Sequence, residues 1–237
     1  MIERSFMSWS GGKDSALALH KAQQEGRAVQ ALLTSVNKTL NRISMHGVRR
    51  ELLQLQSASL CLPLYSIELP EMPDMQRYEE EVRRVHLQLK NEGFTHGIFG
   101  DIFLEDLKHY REELLAKDRL QGSFPIWRMD SREVIKEFLQ SGFKAIVVCT
   151  DNSKLDKSYC GRLMDELFFN ELPETIDPCG ENGEYHSFVF DGPNFKSPIA
   201  FAKGELVLKE YPSPKSTDCF SQPKPSSGFY FCDLLPV

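Results

Sequence analysis

The chain has 237 residues, a formal net charge of −6 and 26% charged residues. This acidic balance disfavours a broad nucleic-acid-binding face, and no apolar run reaches the roughly 18 residues needed to span a membrane. We expect a cytoplasmic globular protein with neither a membrane nor a nucleic acid as partner. Its length is sufficient for a nucleotide-binding domain and a smaller second domain.

Six cysteines are scattered along the chain without a CxxC pair. This spacing is atypical of a zinc ribbon and too sparse for a disulfide scaffold. Since several of them lie in apolar strand patterns, we expect buried free thiols. They are Cys61, Cys149, Cys160, Cys179, Cys219 and Cys232.

The first predicted turn between a strand and a helix carries the sequence SGGKDS at residues 10–15, here called the SGGKDS loop. An apolar strand over residues 5–9 precedes it, and the helix beginning near Ser15 has apolar residues at helical spacing. Backbone N–H groups at a helix N-terminus bind anions, and glycines let the backbone approach phosphate oxygens closely. The pattern predicts a pyrophosphate-binding loop, and the residues expected to form the phosphate site are Ser10, Gly11, Gly12, Lys13, Asp14 and Ser15.

Two residues of the SGGKDS loop have charged side chains with different expected roles. Lys13 supplies a mobile positive charge for the phosphates. Asp14 is either a favourable acidic residue at the start of the helix or a ligand of Mg²⁺, and both roles remain open at this point.

Strands alternate with helices through the first half of the chain, which is typical of a parallel sheet with crossover helices. After the first helix, the apolar patterns predict strands over residues 29–36, 63–68 and 96–99, and helices over residues 48–59, 75–91 and 104–118. Adenine is expected to meet the backbone at the end of the second strand, near Ser35. This sheet indicates an α/β nucleotide-binding domain over residues 1–122.

Polar residues near the ends of these strands are candidates for a role in the reaction. Asp101 follows the strand at 96–99 and is expected to face the same crevice as the loop, as a ligand of Mg²⁺ or of substrate. A simple helix cap is the alternative for this residue. Arg42, His46 and Arg49 lie after the second strand, where they could close over the site, and a solvated surface position is the alternative for each.

A second region begins near residue 123. Asp130, with Glu133 three residues later, predicts an N-cap and a helix over residues 131–140. The patterns that follow predict a strand over 144–150, a helix over 160–170, strands over 185–191, 199–211 and 228–233, and a Pro- and Ser-rich surface loop over 212–227. We expect a smaller α+β domain over residues 123–237.

The sequence DPCGENGEYHS at residues 177–187, here called the acidic motif, combines glycines with carboxylates. On a strand Glu184 and His186 point to the same face, and a glycine turn would bring Glu181 close to them. Such a cluster could hold Mg²⁺, accept a proton from an amine or bind a cationic substrate. A solvated hairpin with an acidic rim is the alternative.

The SGGKDS loop resembles SGGxDS, the signature of the PP-loop or N-type ATP pyrophosphatase superfamily. With the acidic motif added, the chain from about residue 2 to residue 191 is similar to the diphthine–ammonia ligase family. Further matching stretches lie at residues 42–49, 99–102, 110–112 and 160–162. The resemblance implies a Rossmann-like, HUP-like domain with a five-stranded parallel sheet, followed by a substrate domain, with ATP, Mg²⁺ and ammonia as co-reactants.

The same resemblance implies a reaction. A carboxylate on a small molecule or a protein side chain is adenylated with release of pyrophosphate, and ammonia then displaces AMP. Members that make diphthamide on translation elongation factor 2 carry a motif like EGGEYES, whereas this chain reads ENGEYHS and resembles the bacterial branch. The acidic motif lies in the second region and departs from that pattern, whereas the SGGKDS loop does not, so we expect Glu181, Glu184 and His186 to select the acceptor and not to bind ATP. Since a histidine replaces a carboxylate, the expected acceptor is less cationic than diphthine.

Two other functions are compatible with parts of the sequence. An RNA-modifying PP-loop enzyme would need catalytic cysteines and a basic face, and neither is visible. A sensor module that binds ATP without turnover would have no use for the acidic motif. A homo-oligomer is compatible with all of these functions.

Overall fold

The computed structural model describes residues 3–43, 46–211 and 227–237. Its helices are α1 (Lys13–Gln24), α2 (Arg50–Leu60), α3 (Met75–Asn91), α4 (Glu105–Lys117), α5 (Ser131–Gln140) and α6 (Glu166–Glu171). Its strands are β1 (Arg4–Ser8), β2 (Ala28–Asn37), β3 (Arg42–Ile43), β4 (Leu64–Leu69), β5 (His96–Ile98), β6 (Gln121–Ser123), β7 (Lys144–Asp151), β8 (Tyr185–Asp191), β9 (Phe201–Tyr211) and β10 (Ser227–Pro236). Residues 212–226 of the predicted surface loop lie outside the described residues. So do Ser44 and Met45 of the stretch at 42–49.

Five parallel strands form the first sheet in the order β4, β2, β1, β5, β6. The two-residue β3 adds an antiparallel partner to β2. Phe6 and Met7 are neighbours on β1, both are fully buried, and they belong to different apolar clusters on opposite faces of the sheet. Helices therefore cover both faces, which explains the nearly continuous apolar strands and confirms the predicted α/β fold.

The central strand β1 leads directly into α1 at the carboxyl edge of this sheet. Gly12 is extended, with φ −94° and ψ 178°, and is the N-cap, so the helix begins at Lys13, slightly before the expected start near Ser15. Three apolar residues of α1 are fully buried against the sheet: Leu17, Leu19 and Ala22. This packing fixes the helix N-terminus at the position where open α/β sheets bind ligands.

Four antiparallel strands form the second sheet in the order β8, β7, β10, β9. Its strands overlap the predicted ones, with ends that differ by up to three residues, and α5 has the predicted bounds. The Asp130 carboxylate caps α5 by accepting hydrogen bonds from the amides of Arg132 and Glu133. The C-terminal part therefore combines helices with an antiparallel sheet, as expected for the smaller α+β part of the fold.

The helix predicted over residues 160–170 is wrong in its first half. Cys160 is extended, Gly161 has φ +84°, and Leu163 forms an isolated bridge with Ile146 of β7. The helix α6 begins only after Asp165, whose carboxylate accepts a hydrogen bond from the Phe168 amide. Pairing with β7 thus overrides the helical spacing of the apolar residues.

The described cysteines are free thiols, as predicted. Cys149, Cys160, Cys179 and Cys232 are buried, Cys61 is exposed, and Cys219 lies outside the described residues. Among the helices in the described ranges, none combines the length with the apolar composition that a membrane crossing requires.

Candidate nucleotide and acceptor site

The SGGKDS loop is stabilised by its own serine hydroxyls. The Gly12 amide donates to Ser10 Oγ at 3.2 Å, and Ser15 Oγ donates to the Gly12 carbonyl at 2.9 Å. Gly11 has φ +78°, a conformation that favours glycine. Gly12 offers no side chain to cap α1, so among the described residues the N–H groups of Asp14 and Ser15 in its first turn are available to an anion.

Strand β8 docks directly on this loop. The Val189 amide donates to the Gly11 carbonyl at 2.9 Å, and the Lys13 amide donates to Ser187 Oγ at 3.1 Å. A Cβ on Gly12 would lie 3.0 Å from the Ser187 carbonyl oxygen. The absence of a side chain at Gly12 therefore allows the two sheets to meet at the loop.

Gln56 on α2 stabilises the same junction. Its side-chain amide donates to the carbonyls of Gly11 at 3.1 Å and Val189 at 2.6 Å, and its oxygen accepts from Trp9 Nε1 at 2.9 Å. Gln56 is fully buried. Sequence reasoning did not identify this residue, although a large polar side chain on the otherwise mainly apolar face of a helix is a usable signal.

Lys13 reaches the acidic motif instead of open solvent. Its ammonium contacts Asp14 Oδ2 at 2.8 Å, donates to the Cys179 carbonyl, and lies 5.4 Å from the centre of the Tyr185 ring. Burial alone would lower the pKa of Lys13, but the adjacent Asp14, with Tyr185 and Cys179, raises it on balance. A permanent positive charge therefore lies between the loop and the acidic motif.

The turn of the acidic motif brings Glu181 to the segment that follows β5. Its carboxylate accepts a hydrogen bond from the Ile102 amide at 3.2 Å, while its own amide donates to Asp177 Oδ2 at 3.0 Å. Burial raises the pKa of Glu181 to about 7, and the nearby Asp14 carboxylate adds to this shift. Glu181 is thus a carboxyl group that can exchange a proton near neutral pH.

The Glu184 side chain contacts the same turn of the acidic motif. Its Oε1 accepts from the Asn182 side chain at 3.2 Å, and its Oε2 is buried with no hydrogen-bond partner among the described residues. Glu184 is 3% exposed, so a solvated acidic rim does not describe it. An unpartnered buried carboxylate oxygen is costly, and a bound cationic or hydrogen-bonding group would satisfy it.

His46 and His186 stack against each other beside the loop. Their ring centres are 4.6 Å apart, and His46 Nδ1 lies 3.2 Å from the Ser187 carbonyl oxygen. Burial lowers the pKa of His46 to about 4. Burial, the adjacent His46 and Lys13 lower the pKa of His186 well below its usual value. Both rings are therefore neutral at physiological pH.

Asp101 lies near the loop, but its carboxylate is already paired. Its oxygens contact Arg111 Nε at 2.7 Å and Arg111 Nη2 at 3.2 Å. The neighbouring Gly100 is in close contact with α1, since a Cβ there would lie 2.8 Å from the Asp14 carbonyl carbon. Ser35 is on β2, paired with Ile67 of β4 and half-buried.

Arg42 and Arg49 bind a residue far away in the sequence. Arg42 Nη1 contacts Asp233 Oδ1 at 2.8 Å, and Arg49 Nη2 contacts Asp233 Oδ2 at 2.6 Å. The structure therefore brings His46 to the loop while the two guanidinium groups attach this connection to β10. Sequence reasoning did not identify Asp233, because no local pattern marks a partner so distant in the chain.

Replacing Asp233 with asparagine should reduce the free energy of unfolding near neutral pH by about 1–2 kcal/mol. Burial alone would raise the pKa of Asp233, but hydrogen bonds from Arg49 and Arg42 lower it to about 2. A lowered pKa contributes stability above the unfolded value of about 3.8, and this contribution is lost as the pH falls through about 2.

Urea unfolding of both proteins between about pH 2 and pH 7 measures this effect. The control is Asp191→Asn, which removes a pair with the 64% exposed Lys144 and should change stability by less than about 0.5 kcal/mol. Equal stability of the wild type and Asp233→Asn near neutral pH would contradict this role of the pair.

A dedicated metal cage is not part of the site among the described residues, which contain no group of three or more His, Cys, Asp or Glu side chains placed to hold a metal. Mg²⁺ does not require one, because it is commonly bound by one or two carboxylates together with substrate phosphates. Asp14 Oδ1 is buried with no hydrogen-bond partner among these residues, so it could bind the ion in this way.

Known proteins resemble the chain along most of its length. The model of the diphthamide synthase N-terminal domain matches residues 3–119, and that of the C-terminal domain matches residues 130–211. The diphthine–ammonia ligase of Danio rerio is 28% identical over 220 residues, 84% of this chain and 86% of the fish protein. The Homo sapiens diphthine–ammonia ligase is 25% identical over 221 residues, 84% of this chain and 83% of the human protein. That of Schizosaccharomyces pombe is 24% identical over 217 residues, 84% of this chain but 36% of the yeast protein. Because the models of both diphthamide synthase domains match it, this chain belongs to the diphthamide synthase family.

Proposed function

We propose that the protein is an ATP-dependent ligase that joins ammonia to a carboxylate as an amide and releases AMP and pyrophosphate. The observation that carries this proposal is the contact between the SGGKDS loop and the acidic motif, through Lys13, Ser187 and Val189. ATP phosphates bound at the loop and an acceptor bound at the motif would meet at one place. The names of the relatives, diphthine–ammonia ligases, support this class of reaction.

The reaction needs two steps, because a free carboxylate is a poor electrophile. First, a carboxylate oxygen attacks the α-phosphorus of ATP, the bond to the β-phosphate breaks, and pyrophosphate leaves. Then the nitrogen lone pair of ammonia attacks the acyl carbon, the bond to the AMP oxygen breaks, and one proton is released with the amide. The work of the protein is to position the reactants and to balance charge.

The SGGKDS loop has the groups for the first step. We assign the pyrophosphate to Gly11, Gly12, Ser10 and Ser15 together with the N–H groups at the start of α1, and the adenine to the backbone near Ser35. Lys13 balances the developing negative charge from its buried position. In the same arrangement it keeps the acidic motif against the loop.

Asp14 is the residue of the loop that fits Mg²⁺, through its unpartnered Oδ1. When bound, the ion would neutralise phosphate charge. Asp101 is a second candidate ligand, but its pair with Arg111 would have to open first. Arg42 and Arg49 act at a distance, since they keep the connection that bears His46 attached to β10.

We assign acceptor selection to Glu184, His186 and Glu181. The buried free oxygen of Glu184 can accept a hydrogen bond from the acceptor or from ammonia. His186 has a neutral ring at the position where the motif EGGEYES has a negatively charged glutamate. The site therefore favours an acceptor with less positive charge than diphthine. Glu181 accepts the proton that is released when ammonia attacks.

Turnover should depend on the ionisation of Glu181. With the pKa of Glu181 near 7, the carboxylate form that accepts a proton grows as the pH rises, so kcat should increase from about pH 6 to pH 8 at constant unprotonated ammonia. Glu181→Gln should reduce kcat by about 100-fold and remove this increase. Steady-state kinetics over the pH range measures both effects.

Glu105→Gln is a matched control, because Glu105 pairs with Arg128 on the exposed surface and has no role in the proposed site. It should retain both kcat and the pH profile of the wild type. A Glu181→Gln profile that still rises around pH 7 would assign the proton acceptor elsewhere.

The identity of the nucleotide products tests the reaction class. ATP labelled at the α-phosphate should yield AMP, with an equal amount of pyrophosphate, when ammonia is present with free diphthine or with members of a panel of amino-acid and peptide carboxylates. ADP and orthophosphate as products would refute the proposal. Binding of ATP with no turnover for any carboxylate would favour the sensor function.

A further inference from the structure

Strand β9 lies at the edge of the antiparallel sheet, and one of its long sides has no pairing strand in the part of the chain that the structure describes. Among the described residues it pairs only with β10, from Phe201 to Tyr211. Leu206, Val207 and Leu208 at its centre are 43%, 40% and 43% exposed. Edge strands that present consecutive apolar residues are templates for pairing with another strand.

We propose that this edge pairs with the same strand of a second copy of the chain, antiparallel, around a two-fold axis at Val207. Two-fold symmetry within one continuous sheet requires that the residue on the axis faces its own copy, because the side chains of facing residues lie on the same side of the sheet. This requirement allows only registers that are centred on a residue, and near the middle of β9 these residues are Leu206, Val207 and Leu208.

The register centred at Val207 is complementary in charge and in apolar contact. It places Glu205 opposite the partner's Lys209 and, by symmetry, Lys209 opposite the partner's Glu205. On the other face it places Leu206 opposite the partner's Leu208. Opposite charges and apolar pairs at facing positions stabilise an antiparallel sheet.

The neighbouring registers lack this complementarity. Centring the axis at Leu206 places Lys203 opposite the partner's Lys209, which is a like-charge pair. Centring it at Leu208 places Leu206 opposite the partner's Glu210, which is an apolar residue against a charge. The charges along β9 thus favour one register of self-association.

The position of β9 leaves the candidate site open. β9 and β8 lie at opposite ends of the four-stranded sheet, and β8 carries the contacts with the SGGKDS loop. Pairing of two β9 strands would give an eight-stranded sheet with one site at each end. The dimer therefore does not require a change in ATP-dependent turnover.

Charge exchange across the interface tests the register. The wild type should sediment as a dimer at micromolar concentration. Glu205→Lys places a second positive charge opposite the partner's Lys209, and Lys209→Glu does the reverse, so each variant alone should dissociate about tenfold more readily or worse. An equimolar mixture of the two variants should restore dimers, because each then faces an opposite charge.

Cysteine cross-linking measures the position of the axis. Val207→Cys should form a disulfide-linked dimer under mild oxidation, since its two copies face each other. Lys203→Cys is the control, because its two copies lie about 27 Å apart at ~3.4 Å per residue, and it should not cross-link above the wild type.

Each of the opposite outcomes overturns the proposal. They are a wild type that sediments as a monomer, single charge variants that remain as dimeric as the wild type, a mixture that stays monomeric, or cross-linking through Lys203→Cys in place of Val207→Cys. Circular dichroism of every variant shows that the chain remains folded.

Discussion

Lys13→Ala should reduce turnover by about 100-fold or more, equivalent to ~3 kcal/mol of transition-state stabilisation. The ammonium of Lys13 contacts Asp14 at 2.8 Å and the Cys179 carbonyl, so the substitution removes the buried positive charge beside the proposed phosphate site. It also leaves the Asp14 carboxylate without its cation and breaks a link between the SGGKDS loop and the acidic motif. Steady-state kinetics with saturating ATP measures the loss.

Lys21→Ala is the matched control on the same helix. Lys21 pairs with Glu137 at 2.8 Å on a more exposed face, and its loss should change turnover by less than about twofold. Wild-type turnover in a folded Lys13→Ala protein would exclude Lys13 from the charge balance of the reaction.

Gly100→Ala should reduce turnover by about 100-fold and the free energy of unfolding by about 1–3 kcal/mol. The new Cβ would lie 2.8 Å from the carbonyl carbon and oxygen of Asp14 and 2.9 Å from the Ser15 amide nitrogen. These are backbone atoms in the first turn of α1, so the helix N-terminus must shift. A shift of this turn displaces the N–H groups that would bind the phosphates.

Steady-state kinetics measures the loss of turnover, titration calorimetry measures ATP affinity, and urea unfolding measures the loss of stability. Gly204→Ala is the control, since its Cβ would lie 3.3 Å from the nearest atoms, those of Asp233, and it should leave ATP affinity unchanged. Unchanged ATP affinity in Gly100→Ala would show that the phosphates bind away from the start of α1.

The parallel sheet was predictable because strands β1, β2, β4 and β5 each lie in an apolar run that precedes a predicted helix. The three-residue β6 has no such pattern, since it reads Gln121-Gly122-Ser123, and pairing with β5 alone defines it. The error at residues 160–165 has a similar cause. Helical spacing was present there, but a bridge to β7 decided the conformation.

The candidate site could be predicted in its motifs but not in its contacts. SGGKDS and DPCGENGEYHS were both identified from the sequence, yet nothing in either indicates that Lys13 reaches Cys179 or that Glu181 reaches Ile102. Such contacts depend on how the two sheets meet. The roles of the site residues, the domain boundary near residue 122 and the cytoplasmic location stay predictions.

The path of one oxygen atom tests carboxylate adenylation most directly. An acceptor that supports turnover is labelled with ¹⁸O in its carboxylate and incubated with ATP, Mg²⁺, ammonia and the protein, and the products are examined by mass spectrometry. Because the carboxylate oxygen attacks the α-phosphorus and leaves with AMP, each AMP should carry one ¹⁸O from the acceptor. Label in orthophosphate, or AMP without label, would contradict the mechanism.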